Sequence, residues 1–305
     1  MTSTIELDGV SKTYPRNWRR PPVLAVNNLT LSIERGEAFG FIGPNGAGKS
    51  TTIRMLTGAL HPTSGVARIN GEDCREHEAR RGVGYVPENP YLNEYLSPLE
   101  VLEQGLRLHG VTVDAPRKHC LAWLERFALG DAANRIIRTF SKGMTQRVAL
   151  AHALAIQPSV LILDEPLSGL DPIGRREVVE ILSEYRGQGG TLFFSSHVLH
   201  DVERLADRYG LIHQGQLRAV SSPAELVGQD DFVTIWAQGG HPIQGQTAEH
   251  GGRWVIECER AETWALLAAM READQELLEI RPRLSLESAF MRVIEQTQGS
   301  DVRAD

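Results

Sequence analysis

Nine consecutive residues, Gly43-Pro44-Asn45-Gly46-Ala47-Gly48-Lys49-Ser50-Thr51, satisfy the spacing G-x-x-x-x-G-K-[ST] at every position. Glycines at this spacing let the backbone turn so that its N–H groups converge on one point, and a helix opening directly behind them adds unpaired amides and the positive end of its dipole. Such a site suits a polyphosphate. Lys49 is then placed to reach the β- and γ-phosphates, and the Ser50 hydroxyl to coordinate a bridging Mg²⁺.

Two further groups of reactive residues lie downstream. Val160-Leu161-Ile162-Leu163-Asp164-Glu165 is four apolar residues followed by two carboxylates, the pattern of a buried parallel strand that delivers acids to the carboxyl edge of a sheet. Asp164 is expected to hold the Mg²⁺ shell and Glu165 to act as general base toward an attacking water. Thr191-Leu192-Phe193-Phe194-Ser195-Ser196-His197 repeats the arrangement and ends in hydroxyls and a histidine. A lone histidine is more often structural. Here His197 has a task available at the same edge, touching the γ-phosphate and the water.

Positioning these groups requires strands that end together. Glu37 to Ile42 reads as a buried strand before the phosphate loop, and Thr52 to Thr57 as the start of a helix after it. Leu99, Val101, Leu102, Leu106 and Leu108 predict an amphipathic helix after Ser97-Pro98, and Ala122, Leu124, Phe127 and Leu129 a second. Beyond Ser221-Ser222-Pro223 the reactive motifs stop. Phe232 to Trp236 and Arg253 to Cys258 predict strands, and Glu262 to Ala273 and Leu286 to Gln296 predict helices, together a small α/β appendage. The polar run Gly299 to Asp305 is expected to fray.

Composition bounds the function. The chain has 305 residues, 41% of them hydrophobic, enough for one large core or two modest ones. The apolar run Val148 to Leu163 is interrupted by His152, Gln157, Pro158 and Ser159, so no segment is expected to insert into a membrane. The opening residues Met1 to Glu6 carry neither a basic nor an apolar leader pattern, which predicts a cytosolic protein. Cys74, Cys120 and Cys258 are far apart and are expected to be reduced structural thiols. A formal net charge of -7 argues against nucleic acid as the main partner. A local basic cluster, Arg16, Arg19 and Arg20 around Trp18, reads as a solvated loop between two early strands or as a partner or headgroup contact.

The phosphate loop, Leu163-Asp164-Glu165-Pro166, Leu167-Ser168-Gly169-Leu170-Asp171-Pro172 and Ser196-His197 come in the order of ATP-binding cassette (ABC) ATPases, and the chain resembles that family. Thr139-Phe140-Ser141-Lys142-Gly143-Met144-Thr145-Gln146-Arg147 looks like the family's signature motif ahead of a helix from about Met144. It departs from Leu-Ser-Gly-Gly-Gln by having Lys142 and Met144 at the third and fifth positions. Ser141 keeps a hydroxyl, Gly143 lets amides approach an anion, and Lys142 either adds charge beside the phosphate or points to solvent. The resemblance also implies that Tyr14 stacks on adenine, with Trp18 as a rival, and that Asp171 belongs to the nucleotide-contacting set. Glu88 stands where many relatives have a glutamine that senses Mg²⁺ and the membrane partner. A carboxylate there can coordinate the metal but donates no hydrogen bond.

These features imply an α/β fold. Residues 1–222 are expected to form a phosphate-loop NTPase domain of the ABC type, with a mixed sheet core and a helical subdomain at about 90–139. Residues 223–298 form the accessory α/β unit and 299–305 the tail. The implied activity is hydrolysis of ATP with Mg²⁺ by a cassette that dimerises around two ATP molecules, because the signature of one subunit faces the nucleotide of another. The implied partners are a second ATPase subunit and a transmembrane permease that holds the protein on the inner face of the cell membrane. Tyr91, Leu92, Tyr95 and Leu96 are candidate docking residues. Pro282-Arg283-Leu284-Ser285-Leu286-Glu287-Ser288-Ala289-Phe290 resembles the ending of ABC-2 exporter ATPases. A soluble cassette acting on ribosomes or DNA, and a regulatory module without catalysis, are the competing readings. The paired cassettes, coiled coils or zinc modules of the first are missing, and Lys49, Ser50, Asp164, Glu165 and His197 speak against the second.

Overall fold

The computed structural model describes residues 3–15, 21–222, 225 and 232–282. The Arg16–Arg20 cluster with Trp18, the expected helix from Leu286 to Gln296, most of the Pro282–Phe290 motif and the 299–305 tail therefore lie outside the described residues. Two compact units are present, Met1–Val220 and Ser221–Asp305.

The first unit opens with long antiparallel strands β1 (Ser3–Tyr14) and β2 (Val23–Glu34), joined by β4 (Ser64–Ile69) and the short β5 (Glu72–Asp73) in the order β2-β1-β4-β5. The second sheet holds β3 (Ala38–Ile42), β6 (Val83–Val86), β7 (Val160–Asp164), β8 (Thr191–Ser196), β9 (Arg208–His213) and β10 (Gln216–Ser221), in the order β10-β9-β3-β8-β7-β6. Strands β9, β3, β8, β7 and β6 run parallel. Every residue of β3, β7 and β8 is buried, as expected for apolar runs covered on both faces. The core between the sheets joins Ile5, Leu7, Leu29 and Ile33 of the antiparallel sheet to Phe39, Phe41, Ile162 and Phe193 of the parallel one. Phe39 and Phe193 stack with centroids 6.1 Å apart. Burial pushes the Cys74 thiol in this core up to about 12, so the cysteine acts as packing and not as a nucleophile.

Because β3 lies between β8 and β9, the chain order reverses at β3, and a parallel sheet opens its ligand crevice at the carboxyl end of such a switch point. The phosphate loop leaves β3 at that end and enters α1 (Lys49–Leu56). Asp164 ends β7 and Ser196 ends β8, so register alone brings the three motifs to one edge.

Helices α2 (Pro98–Leu108), α3 (Pro116–Arg126) and α4 (Lys142–Ala155) pack on one another. A capping box starts α2: Glu100 N–H donates to Ser97 Oγ at 3.3 Å, and Ser97 N–H donates to Glu100 Oε2 at 2.8 Å. Leu99, Val101, Leu102 and Leu106 are buried as the pattern predicts, but Leu108 is 83% exposed. It sits in the last turn, off the stripe. Helix α3 stops at Arg126, so Phe127 and Leu129 are buried from the following turn, and Ala122 faces solvent. Helix α4 starts at Lys142, two residues before the expected Met144, because Ser141 caps it by accepting from Met144 N–H at 3.3 Å. Helices α5 (Pro172–Gly187) and α6 (Leu199–Leu205) complete the unit.

The second unit carries β11 (Phe232–Gln238), β12 (Thr247–Glu249), β13 (Arg253–Glu259), α7 (Thr263–Glu272) and β14 (Glu276–Pro282), with its antiparallel sheet ordered β12-β13-β11-β14. Val233, Ile235 and Ala237 alternate onto the face that packs with Ile256, Cys258 and Met270. Strands β12 and β14 are additions to the expected elements.

Candidate nucleotide site

The phosphate loop is held by its glycines. A Cβ on Gly43 would lie 2.4 Å from the Ile212 carbonyl oxygen, and one on Gly48, where φ is +115°, would lie 2.7 Å from that of Ala25. Both positions exclude a side chain. Gly46, by contrast, has nothing within 4 Å on its Cβ side, so the loop is open where an anion would sit. Lys49 is buried, and its Nζ donates to the carbonyls of Gly43 at 2.7 Å and Pro44 at 3.4 Å. The same ammonium lies 3.5 Å from Glu165 Oε1.

Glu165 connects the three motifs. Its Oε2 is 2.7 Å from His197 Nδ1 and 3.4 Å from the His197 backbone N–H, which donates to it. Its backbone adopts φ 51°, a left-handed conformation that costs a non-glycine residue about 1–2 kcal/mol. Ser195 supports it. The Ser195 hydroxyl accepts from Glu165 N–H at 2.9 Å and donates to Asp164 Oδ1 at 2.6 Å, in a position with no solvent exposure. Strain held this way at a reactive carboxylate is characteristic of functional sites.

Pro44, Asn45, Gly46, Gly48, Lys49, Ser50, Thr51, Glu88, Glu165 and His197 line one cleft of about 430 Å³ together with Ala25. Gly43 and Ala47 are buried inside the loop. Asp164 is 4% exposed and stands behind Glu165. Tyr14 lies at the rim, its hydroxyl 3.5 Å from Thr51 Oγ1 and its ring 5.6 Å from Lys12 Nζ. Beside the cleft, Glu165, Ser168, Arg175, His197 and Asp201 line a cavity of about 90 Å³. Burial raises the Asp201 carboxyl above its ordinary value, against the pull of Arg175.

Ser141, Lys142, Gly143, Met144 and Asp171 are not brought to this cleft. Ser141, Lys142, Gly143 and Met144 gather at the start of α4, where Lys142 and Gly143 lie against Gly169 of the segment that follows Glu165, and Asp171 stands at the start of α5. A Cβ on Gly169 would lie 3.1 Å from Lys142 Cδ, so the Lys142 methylenes cover that glycine. Asp171 caps α5 by accepting from Gly174 N–H at 3.1 Å. The roles of Ser195 and Ala25 escape motif reading. A small hydroxyl in the strand next to β7 was the available signal for Ser195.

The donor set fits Mg²⁺. Ser50, Asp164 and Glu88 offer hard oxygens, one hydroxyl and two carboxylates, the donor types that would hold such an ion. Among the described residues no group of three or more His, Cys, Asp or Glu could hold a metal alone.

This constellation matches known proteins. The ABC transporter family model matches residues 26–168. An uncharacterised ABC transporter ATP-binding protein of Synechocystis is 33% identical over 96% of this chain and 85% of its own length. The chain belongs to the ABC transporter ATP-binding proteins. The daunorubicin/doxorubicin resistance ATP-binding protein DrrA of Streptomyces peucetius is 36% identical over 74% of this ABC protein and 67% of its own length. The lantibiotic transport ATP-binding protein SrtF of Streptococcus pyogenes is 38% identical over 70% of this chain and 88% of its own. A solved ATP-binding subunit of an ABC transporter superposes with a TM-score of 0.68 at 30% identity, covering 74% of this chain and 93% of that one. A dimeric cassette in a post-hydrolysis state with ADP and Pi superposes at 0.67 and 26% identity, covering 72% and 98%. The ABC chain is an ATPase with the phosphate-loop α/β fold.

Proposed function

We propose that this ATPase closes as a pair around two ATP molecules and powers export by a separate ABC-2 type membrane permease. The observation that carries the reading is the separation of its parts. Lys49, Glu165 and His197 converge in one cleft, whereas Ser141–Met144 of the signature turn are not among its lining residues, which fits a turn that serves a nucleotide held by another copy. The dimeric ADP- and Pi-bound neighbour and the drug-resistance and lantibiotic-transport names of the relatives support it.

Nucleotide phosphates enter over Gly46 and take up the loop amides and Lys49, displacing the Lys49–Glu165 contact. Mg²⁺ held by Ser50 and Asp164, with Glu88 at its edge, would neutralise charge on the phosphates. Glu165, steadied by Ser195 and by the His197 backbone N–H, accepts a proton from the attacking water, and the His197 ring, 56% exposed, turns toward the γ-phosphate. Tyr14 stacks on adenine at the rim.

Among the described residues no helix is long and apolar enough to cross a membrane. Tyr91 and Tyr95, 97% and 74% exposed between β6 and α2, would offer such a permease an aromatic contact at the cytoplasmic face of the membrane. Co-expression with a candidate permease of several membrane spans tests this. The two should co-purify in detergent, with contact weakened by Tyr91→Ala/Tyr95→Ala, and reconstituted vesicles should hydrolyse ATP faster than the isolated chain. Absence of any complex and of any stimulation would overturn the permease reading.

A further inference from the structure

The signature turn is fastened to the chain's own hydrolytic segment by one buried and one largely buried side chain, neither of which lines the cleft. Gln146 has no solvent exposure; its Nε2 donates to the Pro166 carbonyl at 3.1 Å, and its Oε1 has no hydrogen-bond partner. Pro166 directly follows Glu165. Arg147, with 15% of its side chain exposed, donates through Nη1 to the Phe127 carbonyl at 3.0 Å and to Glu177 Oε2 at 2.8 Å, and its Nη2 lies 3.9 Å from Asp171 Oδ1. Backbone contact reinforces the joint: a Cβ on Gly143 would come within 3.0 Å of the Gly169 carbonyl oxygen. The segment returns to Glu165 through the Ser168 N–H, which donates to the Glu165 carbonyl at 3.0 Å.

We infer that Gln146 and Arg147 are positioning residues that couple the two nucleotides of the closed pair: movement of one chain's signature turn onto its partner's ATP is passed through them to the same chain's Glu165. This rests on the two-copy reading above. Ser141 and Glu165 of one chain serve different nucleotides, so a rigid link between them makes each site sense the other. Gln146 is an expensive way to pack a core, since a buried carbonyl oxygen without a partner is unfavourable and leucine would fill similar volume. Its amide is better explained by the bond to Pro166. Arg147 reaches three groups on two elements, the end of α3 and the cap and body of α5, which a lysine point charge does not reproduce.

The test uses the full chain and Gln146→Leu and Arg147→Lys. Gln146→Leu removes the orphaned oxygen, which offsets much of the cost of leaving the Pro166 carbonyl without its donor, so its thermal midpoint should fall only slightly and its affinity for a fluorescent ATP analogue at monomer concentrations should stay close to wild type. The Hill coefficient for ATP hydrolysis should fall from near two, the number of sites, toward one, and kcat should fall roughly tenfold. Arg147→Lys should act in the same direction. Wild-type kcat and cooperativity in both variants would overturn the coupling, as would a loss matched by an equal loss of single-chain nucleotide affinity. Glu165→Gln provides the separate control. If it dimerises on ATP while Gln146→Leu stays cooperative, the coupling alone is wrong; if it does not dimerise, the two-copy reading falls and this inference with it.

Discussion

Ser195→Ala removes one hydroxyl that serves two groups, and its effect follows from the geometry. The hydroxyl accepts from Glu165 N–H at 2.9 Å and donates to Asp164 Oδ1 at 2.6 Å, while Ser195, Asp164 and Glu165 are 0%, 4% and 8% exposed. Water cannot replace it without opening the sheet edge. Each buried polar group left without a partner costs about 1–3 kcal/mol, so the variant, which strands two, should lose about 2–6 kcal/mol of unfolding free energy. The catalytic effect should be larger than that of a generic core change. Glu165 holds a left-handed backbone, φ 51°, and Ser195 pins its N–H. Once released, the carboxylate relaxes from its place between Lys49 and His197, and a shift of about 1 Å at a reacting group costs roughly 100-fold in rate. Urea unfolding followed by circular dichroism gives the stability, and steady-state phosphate release gives kcat and KM. The expected result is kcat down roughly 10- to 100-fold with KM within about twofold, because the phosphate loop is untouched. A kcat within about twofold of wild type, with stability unchanged within about 0.5 kcal/mol, would refute the claim that Ser195 positions the site.

Two further outcomes separate buried from exposed positions in the helical region. Leu102, with no exposure, should lose about 2–5 kcal/mol on change to alanine, whereas Leu108, 83% exposed, should lose less than about 0.5 kcal/mol; equal midpoints in urea would contradict the packing of α2. His152 on α4 lies against Gly105 and near His109, and burial, aided by His109, lowers its pKa below the ordinary value. The folded state thus prefers the neutral ring. Its contribution to stability is fully present above the unfolded value, near 6.5, and is lost as pH falls from there toward the folded pKa, by at most about 1.4 kcal/mol per pH unit. His152→Leu should flatten the wild-type fall in stability between pH 6.5 and 5.5, and an unchanged slope would contradict the assignment.

What could be read from the chain was whatever is local. The phosphate loop carries its own geometry, since Gly43 and Gly48 are needed for backbone approach whatever surrounds them. Four apolar residues before Asp164 predict a covered strand, and β7 is that strand. Contacts that depend on strand order were not legible: Ser195 is useful only because β8 lies beside β7, about thirty residues away in sequence, and Gln146 only because α4 packs near Pro166. Helix ends misled the pattern for the same reason. Phe127 and Leu129 continue an apolar stripe but sit in a turn, and Leu108 matches the apolar type without matching the face. Strands β12 and β14 carry several charged or small residues and form sheet edges, so alternation is weak there.

The central claim is that Glu165 is the base of a site that only a second copy completes. Glu165→Gln keeps shape and removes the proton acceptor. With ATP and Mg²⁺ it should bind nucleotide, sediment as a dimer and stay closed, while phosphate release falls by at least about 100-fold. Hydrolysis at the wild-type rate, or an ATP-bound protein that remains monomeric, would contradict it.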